Sequence, residues 1–217
     1  MGLVLGVLAS GSGSNLQAIL DESAAGRLDA RVAVVVSDNP AARALQRARE
    51  AGAAAELADF SASPSRETHD GRMIEVLRRH GVDTVVLAGY MRLVSPAILR
   101  AFPERVINIH PALLPSFPGL HVHPRVLAQG AKFSGCTVHF VDAGVDTGPI
   151  IIQAVVPVRD DDTPDTLAAR VLREEHRIYP QALQYLAEGR VRIEGHRVRI
   201  DPPSPGSGAL HNPSVRF

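Results

Sequence analysis

Apolar residues in the first half of the chain form short continuous runs, and segments with helical spacing separate these runs. The apolar runs cover residues 3–9, 31–36 and 83–88, and the helical spacing covers residues 15–24, 41–51 and 66–80. Strands that are apolar on both faces are typical of parallel sheets covered by helices. The pattern therefore predicts an α/β fold in which strands and helices alternate.

The second half of the chain departs from this alternation. Residues 105–109 predict a further strand, and residues 126–129 predict a short helical piece. Two more strands are predicted at residues 137–141 and 150–158, separated only by the turn DAGVDTGP. A turn without a crossover helix joins antiparallel neighbours, so this pair is expected to be antiparallel.

The C-terminal region is predicted to hold the longest helix and a hairpin. Helical spacing covers residues 165–186, with Pro180 expected to kink or split the helix, and residues 191–200 alternate. We therefore predict a Rossmann-like, mostly parallel sheet with helices on both faces and an antiparallel C-terminal portion. Residues 1–200 are expected to form one domain, and the Pro/Gly/Ser-rich residues 201–217 a mobile tail.

Composition and charge narrow the class of protein. The chain has 217 residues, of which 45% are hydrophobic, and its 23 Lys and Arg balance its 23 Asp and Glu. A neutral chain has no basic field for a phosphate backbone, which argues against a nucleic-acid partner. A single cysteine, Cys136, forms no internal disulfide, and no apolar run approaches the roughly 20 residues that span a bilayer. A cytoplasmic enzyme or binding protein is expected.

A Gly/Ser loop, SGSGSN at residues 10–15, lies between the first predicted strand and the first predicted helix. In α/β sheets this position offers a helix N-terminus to an anion. Gly11 and Gly13 allow the backbone to approach a ligand, and Ser14 and Asn15 are cap-type residues that can also donate to phosphate oxygens. The alternative is an ordinary strand–helix turn with an ordinary cap.

Two better-known phosphate motifs do not fit this loop. The third glycine of GxGxxG would fall at Leu16, and no Gly-Lys-Ser/Thr sequence follows. Asp38, after the second predicted strand, stands where an NAD-binding protein places an acid for the ribose, so a dinucleotide site stays open as an alternative. A monophosphate site is the preferred interpretation.

The most chemically suggestive residues lie at the end of the predicted strand at residues 105–109. Asn108 and His110 alternate, so their side chains point to one face, and Pro111 ends the strand. The turn DAGVDTGP supplies Asp146, with Asp142 as its competitor. A cationic His and an Asn amide can stabilise an oxyanion formed at a carbonyl, and an Asp can hold the His and accept a proton. This set suits attack of an amine on an acyl carbon.

Two further histidines, His121 and His123, lie in a stiff Pro-rich loop. Their spacing is compatible with a metal, but no third ligand is evident, so no metal is predicted. We expect both to line a pocket or to lie in a movable cover over the substrate channel, with the next helix starting at Pro124.

At this point the chain resembles a known family. The segments SGSGSNLQAIL, VVSDNPAARALQRA, VVLAGYMRLVSP, VINIHPALLPSFPGLH and GCTVHFVDAGVDTGPIIIQAVVPV together look like the phosphoribosylglycinamide formyltransferases, over about residues 3–200. The resemblance implies transfer of a formyl group from 10-formyltetrahydrofolate to the amine of glycinamide ribonucleotide (GAR). It implies the formyltransferase fold, in which the N-terminal half binds the nucleotide phosphate and the C-terminal half binds folate.

The family's site residues carry over to matching positions of this sequence. The implied catalytic set is Asn108, His110 and Asp146. The implied GAR-binding residues are Gly11, Ser12, Gly13, Ser14, Asn15 and Glu175. The implied folate-binding residues are Arg66, Met91, Arg92, Leu93, Val94, Asn108, Val141 and Asp146. For Glu175 the alternative is an exposed helix charge, and for the segment that includes Met91 it is a buried strand end.

Three alternatives remain at this stage. A methionyl-tRNA formyltransferase resembles a longer protein with a basic C-terminal domain, and a formyltetrahydrofolate hydrolase would need an N-terminal regulatory domain. The third alternative, an NAD-binding or other nucleotide-binding protein, would account for SGSGSN and Asp38. It would leave Asn108, His110 and Asp146 without a function. The expected partners are GAR and folate, with no metal, nucleic acid or membrane, in a monomer or homodimer.

Overall fold

A computed structural model describes residues 2–58 and 65–202 together with Leu210; the side chain of Arg66 lies outside this description. The strands are β1 (Leu3–Leu8), β2 (Ala30–Ser37), β3 (Ala54–Leu57), β4 (Thr84–Leu87), β5 (Val106–His110), β6 (Phe133–Phe140), β7 (Ile150–Pro157), β8 (Val191–Glu194) and β9 (Arg197–Ile200). The helices are α1 (Ser14–Ala24), α2 (Arg43–Glu50), α3 (Arg66–Arg79), α4 (Pro96–Ala101), α5 (Val122–Ala128) and α6 (Pro164–Ala187).

The strands form one sheet in the order β3-β2-β1-β4-β5-β6-β7-β9-β8. Strands β1 to β5 are parallel to one another, whereas β6 runs antiparallel to both β5 and β7. Two hydrophobic clusters pack on the sheet, one including helices α1 and α6 and the other including helices α3 and α4. The predicted fold class is confirmed.

Several boundaries differ from the prediction. The four-residue strand β3 was not predicted, and α5 begins at Val122 rather than at Pro124 or later. The N-cap of α5 is His121 in the left-handed conformation, which none of the usual N-cap residue patterns indicates. Among the described residues no helix is long and apolar enough to cross a bilayer.

Helix α6 is not split at Pro180, so of the two predicted effects of this proline the split does not occur, and the kink stays a prediction. It continues from Pro164 to Ala187, and Tyr179, immediately before the proline, is fully buried. The Tyr179 hydroxyl lies 3.0 Å from both the Leu87 and the Ile107 carbonyl oxygens, so it fastens α6 to β4 and β5. This packing offsets the backbone hydrogen bond that a proline inside a helix removes.

The predicted tail begins with two described residues that contact the hairpin. The Asp201 amide donates to the Arg190 carbonyl, and the Arg190 guanidinium donates to the carbonyls of Asp201 and Pro202. Residues 203–209 and 211–217, where the rest of the tail was predicted, lie outside the described residues.

Candidate active site

Strand β5 presents Asn108 and His110 on one face near its carboxyl end. Asn108 is partly buried and His110 is buried, and they pair across the sheet with His139 and Thr137 of β6. The spacing of two residues places both side chains on the same face of the sheet, as the alternation predicts. The register with β6 adds His139 to this face, because residues opposite each other on neighbouring strands share a side.

Both ring nitrogens of His110 face acceptors. Nε2 lies 2.9 Å from the Phe117 carbonyl oxygen, and Nδ1 lies 3.3 Å from Oδ2 of Asp146. A doubly protonated imidazole donates from both nitrogens, so a carbonyl on one side and a carboxylate on the other suit the cation. Any acceptor on a substrate must share or replace the Phe117 carbonyl to reach Nε2.

The structure separates the two candidate acids of the turn after β6. Asp146 lies beside His110, and its Oδ2 also accepts from the Gly119 amide at 2.8 Å. Asp142 instead closes the turn: its Oδ1 accepts from the Gly144 amide at 3.0 Å and from the Thr147 hydroxyl at 2.6 Å. Of the two, only Asp146 is placed to act on His110.

The Gly/Ser loop leads directly into α1. Gly13 is the N-cap, with φ +69°, and the described residues give α1 no side-chain cap. Ser14 and Asn15 are the first helical residues rather than caps, so the backbone amides of the first turn are left for another acceptor. A helix N-terminus that lies at the carboxyl end of a parallel strand, with first-turn amides that no described side chain caps, suits a phosphate.

Helix α2 supports this loop from one side. The Ala44 amide donates to the Gly11 carbonyl at 3.2 Å, and Nε of Arg47 donates to the Ser12 carbonyl at 2.9 Å. A Cβ on Gly13 would lie 2.8 Å from Cα of Ala44, whereas a Cβ on Gly11 would meet nothing within 4 Å. Glycine is therefore required at position 13 by both its backbone conformation and the space available.

Glu175 is buried and reaches the start of α1, so it is not an exposed helix charge. Its Oε2 accepts from Nδ2 of Asn15 at 2.7 Å. Burial raises the pKa of the Glu175 carboxyl, and the Asn15 hydrogen bond opposes that rise. Oδ1 of Asn15 is buried and has no hydrogen-bond partner among the described residues, so the pair presents acceptors beside the loop.

The predicted folate segment follows β4 at the same end of the sheet. Met91 and Leu93 are 64% and 60% exposed, so this segment is not a buried strand end. The Met91 amide donates to Oγ of Ser10 at 3.0 Å, which joins the segment to the Gly/Ser loop. Val94 and Val141 pack against the same hydrophobic cluster. Exposed apolar side chains beside a buried cluster form a surface on which a flat ring can lie.

Asp38, the acid that keeps the NAD alternative open, forms an ion pair in the structure. Oδ2 of Asp38 accepts from Nε of Arg92 at 2.6 Å, and the Asp38 side chain is only 8% exposed. A ribose would have to displace this ion pair or enter the buried position at Oδ1 of Asp38, which has no hydrogen-bond partner among the described residues. The contact also turns the Arg92 side chain towards β2.

The two loop histidines have different positions. His121 is exposed at the start of α5, whereas His123 lies within α5, is partly buried and has an unpartnered Nδ1 among the described residues. Burial lowers the pKa of His123, and nearby His110 lowers it further. His123 thus lies in a helix rather than in the loop before it, and its role in lining a pocket or covering the channel stays a prediction. In the described part of the chain, no cluster of three His, Cys, Asp or Glu is placed to hold a metal.

Comparison with known proteins assigns the family. The family model described as "Formyl transferase" matches residues 4–183, which include β1 to β7 and most of α6. The chain belongs to the formyl transferase family.

Individual members of the formyl transferase family are similar to the chain over most of its length. It is 43% identical over 195 residues to the phosphoribosylglycinamide formyltransferase of Escherichia coli (strain K12), covering 90% of this chain and 92% of that protein. The glycinamide ribonucleotide transformylase 1 structure from Symbiobacterium toebii shows 57% identity and a TM-score of 0.91, over 92% of this chain and 94% of that one.

A longer relative also matches. The chain is 46% identical over 190 residues to the trifunctional purine biosynthetic protein adenosine-3 of Drosophila melanogaster. That match covers 86% of the chain but spans only 14% of the relative's length. The similarity to this formyl transferase family member therefore concerns one part of a much larger protein.

His139 is a polar residue of the candidate site that the sequence analysis did not predict. Its Nδ1 lies 2.8 Å from the Phe140 carbonyl oxygen, and its Nε2 lies 3.2 Å from Nδ2 of Asn108. The carbonyl assigns the proton to Nδ1, so Nε2 accepts from the Asn108 amide and fixes its orientation. The only sequence signal is a histidine inside the apolar strand TVHF. The register with β5 shows that this histidine lies opposite Asn108.

Replacing His139 is expected to impair catalysis through Asn108. His139→Leu removes the acceptor that orients the amide, and we expect kcat to fall about 10-fold, because small misplacements of a catalytic group are costly. His139→Gln keeps an acceptor near the Nε2 position and should retain more activity. Steady-state kinetics of both variants test this, and equal activities for the two would contradict the orienting role.

Stability should fall as the pH drops below the ordinary histidine pKa. Burial lowers the pKa of four histidines from 6.5, namely His69, His123, His139 and His176. In this window the unfolded chain binds protons that the folded chain does not, so stability rises with pH and is lost as pH falls from about 6.5. Urea unfolding at about pH 7.5 and pH 5.5 measures the loss. His139→Gln should reduce this pH dependence, and an unchanged pH dependence in that variant would contradict the assignment to His139.

Proposed function

We propose that the protein transfers a formyl group from 10-formyltetrahydrofolate to the amine of GAR, giving N-formyl-GAR and tetrahydrofolate in de novo purine (IMP) biosynthesis. The observation that carries this proposal is the convergence of Asn108, His110 and Asp146 in a chain of the formyl transferase family. A phosphate-competent helix N-terminus opens at the same end of the sheet. Residues 1–200 act as one domain in this proposal, and the reaction is placed in the cytoplasm.

The nucleotide is proposed to bind along the Gly/Ser loop. Its phosphate accepts hydrogen bonds from the loop formed by Gly11, Ser12 and Gly13 and from the first turn of α1, where the helix dipole favours an anion. Glu175 and the unpartnered Oδ1 of Asn15 accept from hydroxyl groups of the nucleotide. Buried acceptors without donors select ligands that supply donors.

The folate is proposed to lie along the segment after β4. Met91, Leu93 and Val94 offer an apolar surface to the pterin ring, and the backbone of this segment and of the turn that starts at Val141 offers polar groups. Arg66 remains a predicted folate contact, because its side chain lies outside the described residues.

The proposed reaction is direct transfer. The GAR amine attacks the formyl carbon, a new C–N bond forms, and the bond from that carbon to folate N10 then breaks. The second N–H of the Asn108 amide and the Nε2–H of His110 donate to the oxyanion of the tetrahedral intermediate. The intermediate displaces or shares the Phe117 carbonyl at His110. Asp146 supports the His110 cation and, directly or through water, carries the proton from the amine to N10.

Turnover of 10-formyltetrahydrofolate, followed by absorbance with and without GAR, tests the function. Turnover that requires GAR supports the transferase, whereas equal turnover without GAR indicates a formyltetrahydrofolate hydrolase. Absence of turnover by folded protein in both cases would point to another acceptor or to a binding protein. The proposal has no metal in the reaction, so loss of activity in EDTA would contradict that part. The expectation of a monomer or homodimer stays a prediction.

A further inference from the structure

The segment from Phe117 to Leu120 crosses the candidate active site as irregular backbone. Phe117 has φ +55° and Gly119 has φ +78°, both in the left-handed region. A bulky residue such as Phe117 adopts this conformation only where surrounding contacts hold it. The segment must therefore be fixed by interactions outside its own backbone.

Two of those interactions are with the proposed catalytic groups. The Phe117 carbonyl accepts from Nε2 of His110 at 2.9 Å, and the Gly119 amide donates to Oδ2 of Asp146 at 2.8 Å. In the proposed reaction the oxyanion competes for His110, and Asp146 handles a proton. These two contacts change as the reaction proceeds, so they cannot hold the segment throughout the cycle.

The third set of interactions comes from Arg125 of α5. Its Nη1 donates to the Pro118 carbonyl at 2.6 Å and lies 3.4 Å from the Leu120 carbonyl oxygen. The guanidinium carbon also lies 5.7 Å from the centre of the Phe117 ring, within the range of a cation–π contact. A planar guanidinium can serve two carbonyls and a ring face at once, which a lysine cannot.

We propose that Arg125 is a positioning residue that holds the Phe117–Gly119 backbone against His110 and Asp146 while those two groups exchange partners during the reaction. The inference rests on the proposed function, because only a reaction at His110 and Asp146 makes this anchoring matter. Arg125 touches neither group and is exposed to solvent. Its effect is therefore on the placement of the catalytic groups rather than on substrate contacts.

The test compares Arg125→Ala, Arg125→Lys and Arg79→Ala with the wild-type protein. Arg79 is an equally exposed helical arginine that pairs with Glu56, far from the segment in the sheet order, and serves as the matched control. Arg125→Ala is expected to lower kcat about 10-fold with KM for both substrates within about twofold, because the lost interaction orients groups that act in the transition state. The kcat of Arg125→Lys should lie between those of Arg125→Ala and the wild-type protein. The kcat of Arg79→Ala should equal that of the wild-type protein.

Two further readouts separate positioning from general structural support. Guanidinium chloride, at concentrations well below those that unfold the protein, should restore part of the kcat of Arg125→Ala, whereas ammonium chloride should not. The Gly119 amide should exchange its hydrogen faster in Arg125→Ala, with the melting temperature nearly unchanged.

The kinetic and stability results for these variants separate failure of the Arg125 inference from failure of the proposed function. A kcat for Arg125→Ala equal to that of Arg79→Ala would overturn the inference, and so would a loss of kcat accompanied by a large fall in melting temperature without guanidinium rescue. If the wild-type protein itself shows no GAR-dependent turnover, the proposed function fails and this inference fails with it. If wild type turns over and only the Arg125 effects are absent, the inference alone is wrong.

Discussion

Asn108→Ala is expected to lower kcat by about 10²–10³-fold, because removing one oxyanion donor typically costs that factor. The Asn108 amide donates to Nε2 of His139 at 3.2 Å, which leaves its second N–H for the oxyanion in the proposed reaction. KM for GAR should change little, since the residues proposed to bind GAR lie around the Gly/Ser loop. The measurement is steady-state kinetics with both substrates varied, together with thermal unfolding.

A matched control for this variant is Gln46→Ala. It removes a side-chain amide that donates to Glu50 at 2.7 Å on the exposed face of α2, away from β5. Gln46→Ala should retain wild-type kcat. Near-normal turnover of Asn108→Ala would remove Asn108 from the mechanism, and an equal loss in Gln46→Ala would show that the assay reports stability instead.

Gly13→Ala is expected to have the largest combined effect on nucleotide binding and stability. The new Cβ would lie 2.8 Å from Cα of Ala44, and the residue would have to keep φ +69°. A left-handed residue costs about 1–2 kcal/mol and overpacking about 1–3 kcal/mol, so the free energy of unfolding should fall by roughly 2–5 kcal/mol. The displaced loop should raise KM for GAR about 10-fold or more, because a preset anion site is lost.

Gly11→Ala is the control for the stability part of this prediction. A Cβ at position 11 meets nothing within 4 Å, and no positive φ is recorded there. Urea unfolding should place Gly11→Ala close to wild type and Gly13→Ala well below it. Equal stability of the two variants would contradict the requirement for glycine at position 13.

Much of the fold was predictable because its signals are local. Apolar runs and helical spacing predicted β1, β2, β4 and β5 and the helices α1, α2 and α3, and the short turn indicated the antiparallel pairing of β6 and β7. The missed strand β3 is four residues of AAEL, which is too short and too rich in alanine to show a strand pattern. Its place is decided by pairing with β2.

Helix α6 shows how packing overrides a local rule. Pro180 predicted a kink or a split, but the helix continues past it, Tyr179 and Leu183 are fully buried, and the Tyr179 hydroxyl donates to β4 and β5 carbonyls. The cost of one lost backbone hydrogen bond is smaller than the gain from burying this face against the sheet. No pattern within the helix reveals that balance.

Some residues of the candidate site also follow from local sequence patterns, whereas others depend on tertiary packing. Asn108 and His110 follow from alternation on one strand, and Gly13 follows from its place between a strand and a helix. The choice of Asp146 over Asp142 depends on how the turn folds back over His110, at 3.3 Å. Only the tertiary structure makes that choice, because both acids lie in one turn with similar neighbours.

The sequence by itself determined the order of elements, the face shared by Asn108 and His110, and the likeness to a formyltransferase family, since all three depend on spacing along the chain. Only the tertiary structure decided that His139 faces Asn108 and that Arg125 holds the segment beside His110. These contacts depend on strand register and on left-handed loop residues. Neither is encoded by local periodicity, because each arises when distant segments pack and satisfy one another's polar groups.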